Sequence, residues 1–256
     1  MRRARVAALV PAAGRGVRLA AGMPKAFVPL RGRPLLWHSV QGLLAAGCVA
    51  QVVVAVGDEH RDRARAALAD VGERVRIVAG GAQRSDSVRC ALDAVPDAEV
   101  VLVHDAARCL TPVSVIQAVA EAVLAGQQAV VPVLPVVDTI KQVDAAGHVV
   151  STVDRSALRV VQTPQGFTAD LLRRAHQASS GPVTDDACLV ERIGETVATV
   201  PGHPHAFKIT TPFDLVIAEA VAVAAGSIAA GSIAAGSIAA GVDSGGAADA
   251  PLTGTS

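Results

Sequence analysis

Short, largely apolar runs recur along the chain, separated by longer segments that have helical periodicity or carry many charges. The runs span residues 5–10, 52–56, 75–79 and 99–103, and each predicts a strand. The unbroken run 52–56 is typical of a strand that is covered on both faces. Helices are predicted over residues 34–47, 58–71, 85–92, 111–124, 184–192 and 212–225. Together these elements predict an α/β fold, with a Rossmann-like, mostly parallel sheet and helices on both faces.

Two consecutive segments depart from this alternation. Residues 129–136 carry two prolines, which cannot donate to a β-ladder, so this strand is predicted to lie at the edge of the sheet or to leave it. Residues 136–158 alternate in character on either side of Ala146 and Gly147, a pattern typical of a β-hairpin. From the pattern alone, an exposed polar hairpin is the plainest interpretation.

Composition and charge argue against some classes of function. Hydrophobic residues make up 51% of the 256 residues and aromatic residues only 2%, so small aliphatic side chains must fill a large core. Lys+Arg and Asp+Glu both number 23, and a net charge of zero argues against sequence-independent nucleic-acid binding. The scattered cysteines form no CxxC pair, which favours buried thiols in a reducing compartment over zinc or disulfides. They are Cys48, Cys90, Cys109 and Cys188.

Neither end of the sequence favours a membrane or an export signal. Three arginines precede the first apolar run, as in a secretory signal, but Pro11 and further arginines cut the run short. Residues 220–242 carry no charge, yet Ala, Gly and Ser dominate them, and the isoleucines of the three GSIAA repeats share no helical face. We therefore expect a cytoplasmic protein with one domain over 1–225 and a low-complexity tail over 226–256.

The segment from Leu9 to Phe27, LVPAAGRGVRLAAGMPKAF, carries the strongest functional signal. Its turn consists of Pro11, Ala12, Ala13, Gly14 and Gly16. Small residues let the backbone approach a ligand, and successive N–H groups in such a loop form an anion-binding concavity. The cations Arg15, Arg18 and Lys25 follow, and this combination favours a triphosphate. Leu19 replaces a glycine of the dinucleotide fingerprint and no GK[ST] follows, so neither that motif nor a P-loop fits.

Hydroxyl and carboxyl residues are placed to cap three of the predicted helices. Ser85, Asp86 or Ser87 suits the helix in GGAQRSDSVRCAL, residues 80–92, where an ordinary capped helix competes with a functional interpretation. Thr111 precedes Pro112 in the same way, and Thr184 precedes the acids Asp185 and Asp186.

Two charged residues stand where a ligand site is expected. Asp105 follows the strand that ends at Val103, and an acid at the carboxyl end of a strand in an α/β sheet points into the ligand crevice. Lys208 lies between Phe207 and Ile209 on a predicted short strand, which favours an ammonium group with an anionic partner.

Six motifs in order resemble those of the 2-C-methyl-D-erythritol 4-phosphate cytidylyltransferase family of the non-mevalonate isoprenoid pathway. They are PAAGRGVR with PK, GGAQRSDSV, HDAARC, DTIK with TVDR, TPQ and FKITTPFDL, and the resemblance covers about residues 5–222. One departure is Cys109, which stands where that family usually has proline.

The resemblance implies that the protein joins CTP to 2-C-methyl-D-erythritol 4-phosphate and releases pyrophosphate. The residues implied to bind the nucleotide are Pro11, Ala12, Ala13, Gly14, Gly16, Gly81, Ala82, Ser87, Asp105 and Ala106. Those implied to bind the alcohol phosphate are Asp105, Arg108, Thr139, Arg155, Thr163 and Lys208. Arg18, Lys25, Arg155 and Lys208 are implied to be catalytic, and no protein residue is implied to ligate a metal directly.

The resemblance also implies a cofactor and an assembly. Mg²⁺ would be held mainly through the CTP phosphates. The hairpin over about 137–157 would be a dimerisation arm that carries Thr139 and Arg155 towards the other chain's substrate in a homodimer. Two alternatives stay open: a cytidylyltransferase that uses ribitol 5-phosphate, and a nucleotide-binding regulator without catalysis.

Overall fold

A mixed sheet forms the centre of the protein. The computed structural model describes residues 5–14, 22–178, 181 and 183–224. In these residues the main sheet has eight strands. They are β1 (Val6–Pro11), β4 (Gln51–Val56), β5 (Val75–Ala79), β6 (Val100–Val103), β7 (Ala129–Pro135), β10 (Arg159–Val161), β11 (Gln165–Thr168) and β12 (Ala198–Pro201). Two short pairs lie outside it: β2 (Pro29–Leu30) with β3 (Arg33–Pro34), and β8 (Ile140–Val143) with β9 (Val149–Val153).

The strands that carry the sequence motifs pair in parallel. β5, β4, β1 and β6 are neighbours in that order, with Leu9 opposite Val53 on one side and Val103 on the other. β11 then runs antiparallel between β6 and β7, and β12 runs parallel to β7. The predicted α/β fold with a mostly parallel sheet is therefore confirmed.

The prediction for residues 129–136 is wrong. β7 lies inside the sheet, paired with β10 and β11 and also with β12. Pro132 is tolerated there because it lacks only one donor, while its carbonyl oxygen still accepts a 2.8 Å hydrogen bond from the Gln162 N–H. Pro135 is the last residue of the strand.

Helices cover both faces of the sheet. They are α1 (Leu35–Ala45), α2 (Arg61–Ala67), α3 (Arg84–Asp93), α4 (Val113–Leu124), α5 (Ala169–Ala178), α6 (Ala187–Arg192) and α7 (212–224). Successive strand residues face opposite sides, so Val52 and Val54 pack with α1, α2 and α4, whereas Val53 and Ala55 pack with α3, α5 and α6. Cys109 is buried in a third cluster with Leu30 and Ile209, and burial raises its pKa to about 12.

Several predicted helix starts need correction. Gln83 caps α3, since its side chain and that of Asp86 bond each other's backbone N–H groups as a capping box. Pro112 precedes α4, and the Thr111 hydroxyl donates to the Arg108 carbonyl instead of capping. At α6, Asp185 rather than Thr184 accepts the 3.0 Å bond from the Cys188 N–H. The predicted helix over 58–71 is a 3₁₀ turn followed by the shorter α2.

The last helix begins with a second capping box. The Asp214 carboxylate accepts from the backbone N–H of Thr211, whose hydroxyl accepts from the Asp214 N–H. These bonds and those from Thr210 outweigh the effect of burial and lower the pKa of Asp214 to about 2. Lys208 precedes this box in a segment without regular structure, so the predicted short strand there is wrong.

The predicted hairpin is confirmed as a separate two-stranded unit. β8 and β9 pair with each other and not with the main sheet, and the turn contains Gly147 at φ 87°. Its valines are exposed, with Val149 61% and Val150 62% accessible. None of the helices in the described ranges combines the length and hydrophobicity needed to cross a bilayer. Residues 226–256, the predicted tail, lie outside the described residues.

Candidate active site

A cavity opens at the carboxyl ends of the parallel strands. The loop after β1 lines one side, the start of α3 another, and the segments after β6 and before α7 complete it. The lining residues are Pro11, Ala12, Ala13, Gly14, Lys25, Ala26, Gly81, Ala82, Gln83, Arg84, Ser87, Asp105, Ala106, Ala107 and Lys208. The sheet topology thus gathers segments almost 200 residues apart in the sequence around one space.

The loop after β1 extends the strand's hydrogen bonding by one residue and then turns into the cavity. The Ala12 N–H donates to the Ala55 carbonyl at 2.7 Å, and Ala12 is buried. Lys25 lies on a 3₁₀ turn, Lys25–Phe27, which is anchored by the buried Phe27. The predicted site residues Gly16 and Arg18, and Arg15, lie outside the described residues.

The glycine pair after β5 packs tightly against the start of α3. The Gly81 N–H donates to the Ser87 hydroxyl at 3.2 Å, and that hydroxyl donates to the Gln83 carbonyl at 3.1 Å. A Cβ atom on Gly81 would overlap the Cβ of Asp86. Ser87 therefore shapes the loop that lines the cavity, although it is itself fully buried.

Asp105 is the electrostatic centre of the cavity wall. Its Oδ1 accepts from Arg84 Nε at 3.1 Å, and its Oδ2 lies 2.7 Å from Lys208 Nζ. Burial opposes ionisation of the carboxyl, but the charges of Arg84 and Lys208 outweigh it and hold the pKa of Asp105 well below its usual value. Asp105 is therefore an anion at neutral pH, and Lys208 has the anionic partner that its surroundings predicted.

A buried segment between β10 and β11 supports the cavity wall from beneath. The Thr163 hydroxyl accepts from the Asp105 N–H at 3.1 Å and lies 3.0 Å from His104 Nδ1. Gln162 bonds both backbone groups of His203, and Gln165 bonds the Ala187 N–H and the Asp185 carboxylate. Burial lowers the pKa of His104 to about 4, so this histidine is a neutral part of the support.

The predicted substrate residues do not all reach the cavity. Asp105 and Lys208 line it, whereas Thr163 lies underneath Asp105. Arg108 donates to the carbonyls of Ala206 at 2.7 Å and Val161 at 3.2 Å, and burial lowers its pKa. Thr139 precedes the first strand of the hairpin, and Arg155, which follows the second, donates to the Val137 carbonyl.

The sequence interpretation missed some residues of the site. Gln83, Ala26 and Ala107 line the cavity beside residues that were predicted. Asp186, taken as part of a helix cap, instead binds Arg84 Nη1 at 2.6 Å from a fully buried position. A carboxyl group in the first turn of a helix gives the same sequence pattern whether it caps the helix or pairs with a distant arginine. Only the tertiary contact distinguishes these two roles.

The charged groups suit phosphorylated ligands better than a metal held by protein alone. Among the described residues no three His, Cys, Asp or Glu side chains cluster as a metal site. Asp105 is the one carboxylate in the described lining, and two cations already bond it. Mg²⁺ in such a site takes most of its ligands from substrate phosphates and water.

A loop of small residues after the first parallel strand, with two lysines and a carboxylate around the same cavity, is the arrangement expected of an α/β enzyme that acts on phosphorylated substrates. The sequence profile described as IspD, 2-C-methyl-D-erythritol 4-phosphate cytidylyltransferase, matches residues 6–223. The chain belongs to this family, and it is a nucleotidyltransferase.

Relatives and solved structures agree with this assignment. The 2-C-methyl-D-erythritol 4-phosphate cytidylyltransferase of Saccharopolyspora erythraea is 62% identical over 220 residues, which cover 84% of this chain and 98% of that one. The enzyme of the same name from Nocardia farcinica is 60% identical over 84% of this chain and 93% of that one. The crystal structure of the Thermus thermophilus enzyme superposes with a TM-score of 0.71 at 39% identity, covering 85% of this chain and 98% of that chain.

Proposed function

We propose that this protein joins CTP and 2-C-methyl-D-erythritol 4-phosphate to give 4-CDP-2-C-methyl-D-erythritol and pyrophosphate, in the cytoplasm, as a step of isoprenoid synthesis. The observation that carries the proposal is that one cavity gathers the β1 loop, Lys25, Asp105 and Lys208 in a chain of this family. An oxygen of the alcohol's phosphate attacks the α-phosphorus of CTP, and the bond to the β-phosphate breaks to release pyrophosphate. Because a phosphate anion is already a nucleophile, the protein supplies none.

The nucleotide half of the site lies between the β1 loop and the glycine pair. Backbone N–H groups around Ala12, Ala13 and Gly14 would bind the triphosphate, with Pro11 and Gly16 shaping the turn. Gly81, Ala82 and Ser87 would read the cytosine, and Asp105 and Ala106 would contact the ribose. Lys25 and Arg18 would offset the negative charge that grows on the α-phosphoryl group as the second anion approaches.

The other half of the site would hold the attacking phosphate. Lys208 reaches into the cavity beside Asp105, with 40% of its side chain exposed, and is thus able to meet a ligand. Arg108 and Thr163 would act from behind the wall, since both Nη groups of Arg108 donate to backbone carbonyls and the Thr163 hydroxyl accepts from the Asp105 N–H. Thr139 and Arg155 of the partner subunit would complete this half.

Mg²⁺ fits this cavity through the nucleotide. The phosphate oxygens of CTP would hold the metal, and Asp105 is the carboxylate that the described lining could add. When bound, it would supply positive charge between the phosphates. Lys25 and Lys208 would still be needed, because they orient the two anions from the protein side.

The hairpin would make the active form a homodimer. Its strands stand apart from the main sheet and expose Val137, Val143, Val149 and Val150. Apolar side chains on a projecting element favour a partner surface. Burial of these valines on a second copy would bring the partner's Arg155 towards the cavity.

The test is release of pyrophosphate from each nucleoside triphosphate with each alcohol phosphate. We expect turnover with CTP and 2-C-methyl-D-erythritol 4-phosphate, dependent on Mg²⁺, and little with ATP, GTP or UTP. Turnover that prefers ribitol 5-phosphate would replace this proposal with the alternative that the family match does not favour. Nucleotide binding without turnover would favour the regulator.

A further inference from the structure

A buried carboxylate outside the cavity holds one of the cavity's cations. Asp186 is fully buried, and its Oδ2 accepts a 2.6 Å bond from Arg84 Nη1. Arg84 Nε donates to Asp105 Oδ1 at 3.1 Å, and Asp105 Oδ2 meets Lys208 Nζ at 2.7 Å. The four side chains form a row of alternating charge that leads from the protein interior to the cavity.

The position of Asp186 is set by the sheet and not by the cavity. Its neighbours Asp185 and Ala187 both bond the side chain of Gln165, at 2.8 and 3.1 Å, and Gln165 is a fully buried residue of β11. His176 Nε2 lies 3.7 Å from the second oxygen of Asp186. Asp186 is therefore held in place on both sides, by the side chain of Asp185 and the backbone N–H of Ala187.

Arg84 needs such an anchor because it lines a cavity built for phosphates. A guanidinium group binds phosphate as readily as carboxylate, and its planar donors allow either partner. Burial opposes the charge on Arg84, but Asp186 and Asp105 outweigh it and raise its pKa above the ordinary value. With one edge bonded to Asp186, the Nε edge stays directed at Asp105.

We propose that Asp186 is a positioning residue that acts through Arg84: it keeps the arginine on Asp105 and thereby fixes the carboxylate that meets Lys208. The effect on turnover rests on the proposed function, whereas the orientation of Arg84 does not. Asp186 is not among the described residues that line the cavity, so it works through its partner Arg84.

The first measurement follows the orientation of the Arg84 side chain directly, in the full chain without ligands. In wild-type protein labelled with ¹⁵N-arginine, we expect the Nε–H signal of Arg84, assigned by its loss in Arg84→Met, to be protected from solvent exchange. Asp186→Asn should abolish that protection. Asp170→Asn is the control, since it changes an exposed acid that pairs with Arg173 and takes no part in holding Asp186. Protection that survives Asp186→Asn would overturn the proposal.

The second measurement tests how the loss of Asp186 affects turnover. Asp186→Asn should lower kcat/KM for CTP by about tenfold, while Asp170→Asn changes it by less than about twofold. In protein that already carries Arg84→Met, the further change Asp186→Leu should alter kcat/KM by less than about twofold, because the intermediary is gone. The comparison of Arg84→Met with and without Asp186→Leu also tests the proposal if Asp186→Asn fails to fold.

The outcomes separate the two proposals. Wild-type protein that releases no pyrophosphate from CTP would refute the proposed function, while the Arg84 signal would still decide the role of Asp186. A loss of about tenfold on adding Asp186→Leu to Arg84→Met would mean that Asp186 acts without Arg84, which overturns the inference.

Discussion

Lys208 Nζ lies 2.7 Å from Asp105 Oδ2, although 102 residues of α/β fold separate the two in sequence, from the end of β6 to the segment before α7. Arg84 holds the other oxygen of the same carboxylate. One anion thus positions two cations that face a cavity suited to two phosphorylated ligands. The negative charge of Asp105, more than the shape of its side chain, holds these two cations in position.

Asp105→Asn keeps the side chain's size but removes this charge. The amide still accepts a hydrogen bond, yet it no longer attracts Lys208 and Arg84, which become free to bind phosphates in unproductive positions. We expect kcat/KM to fall about 10- to 100-fold, the value of one or two charge-assisted bonds. Steady-state pyrophosphate release checks this, and Asp97→Asn, an exposed acid paired with Arg5, is the control. Full activity in Asp105→Asn would contradict the proposed arrangement.

Lys25→Ala tests the lysine that follows the β1 loop and lines the cavity. The change removes positive charge from the cavity, while Phe27 continues to anchor the turn in the core. We expect kcat to fall about 10²- to 10³-fold, as for the loss of one preorganised donor. The thermal midpoint should stay close to that of the wild type. Arg65→Ala, which removes a surface cation paired with Asp62, should leave kcat unchanged. An active Lys25→Ala enzyme would refute the assigned role.

Much of this site could be predicted because its signals are local. Asp105 follows an apolar strand directly, and the rule that such acids face the crevice placed it correctly. The small residues after β1 likewise predicted a loop that could approach a ligand, and Pro11 to Gly14 line the cavity. Each of these inferences needed only a strand end and the residues next to it.

The predictions that failed depended on partners distant in sequence. The two prolines of β7 favoured an edge strand, but whether a strand is interior depends on what pairs with it, here β10, β11 and β12. Asp186 looked like a capping acid because nothing in its local sequence points to Arg84, 102 residues earlier.

His104 predicts how stability depends on pH. Burial lowers the pKa of this histidine from 6.5 to about 4, so the unfolded chain binds a proton in that interval that the folded chain does not. Stability should therefore decrease as the pH falls from 6.5 towards 4, by about 3 kcal/mol in total. Urea unfolding at several pH values measures it. His104→Gln should remove about one proton from the slope between pH 6.5 and 4. Equal slopes in the wild type and in His104→Gln would contradict the prediction.

Two glycines should respond to alanine in opposite directions. A Cβ on Gly81 overlaps Asp86, so Gly81→Ala must displace the loop from α3 and should weaken both stability and CTP affinity. A Cβ on Gly42, inside α1, would find its nearest contact 4.0 Å away at the Thr111 carbonyl. Gly42→Ala should therefore stabilise the protein by about 0.5–1 kcal/mol. Chemical denaturation and CTP calorimetry compare the two, and a neutral Gly81→Ala would show that the loop is not tightly packed.

Whether the hairpin serves a neighbouring site is testable with mixed dimers. If Arg155 acts on the partner's cavity, a dimer with one Lys25→Ala chain and one Arg155→Ala chain contains one site with both residues intact. Purified through two different tags, this heterodimer should have about half of the wild-type activity, although each variant alone is inactive. A second dimer pairs a chain that carries both substitutions with a wild-type chain. Neither of its sites then has both residues intact, so that dimer should be inactive. The opposite pattern would mean that Arg155 acts within its own chain, and failure to recover any heterodimer would refute the dimer itself.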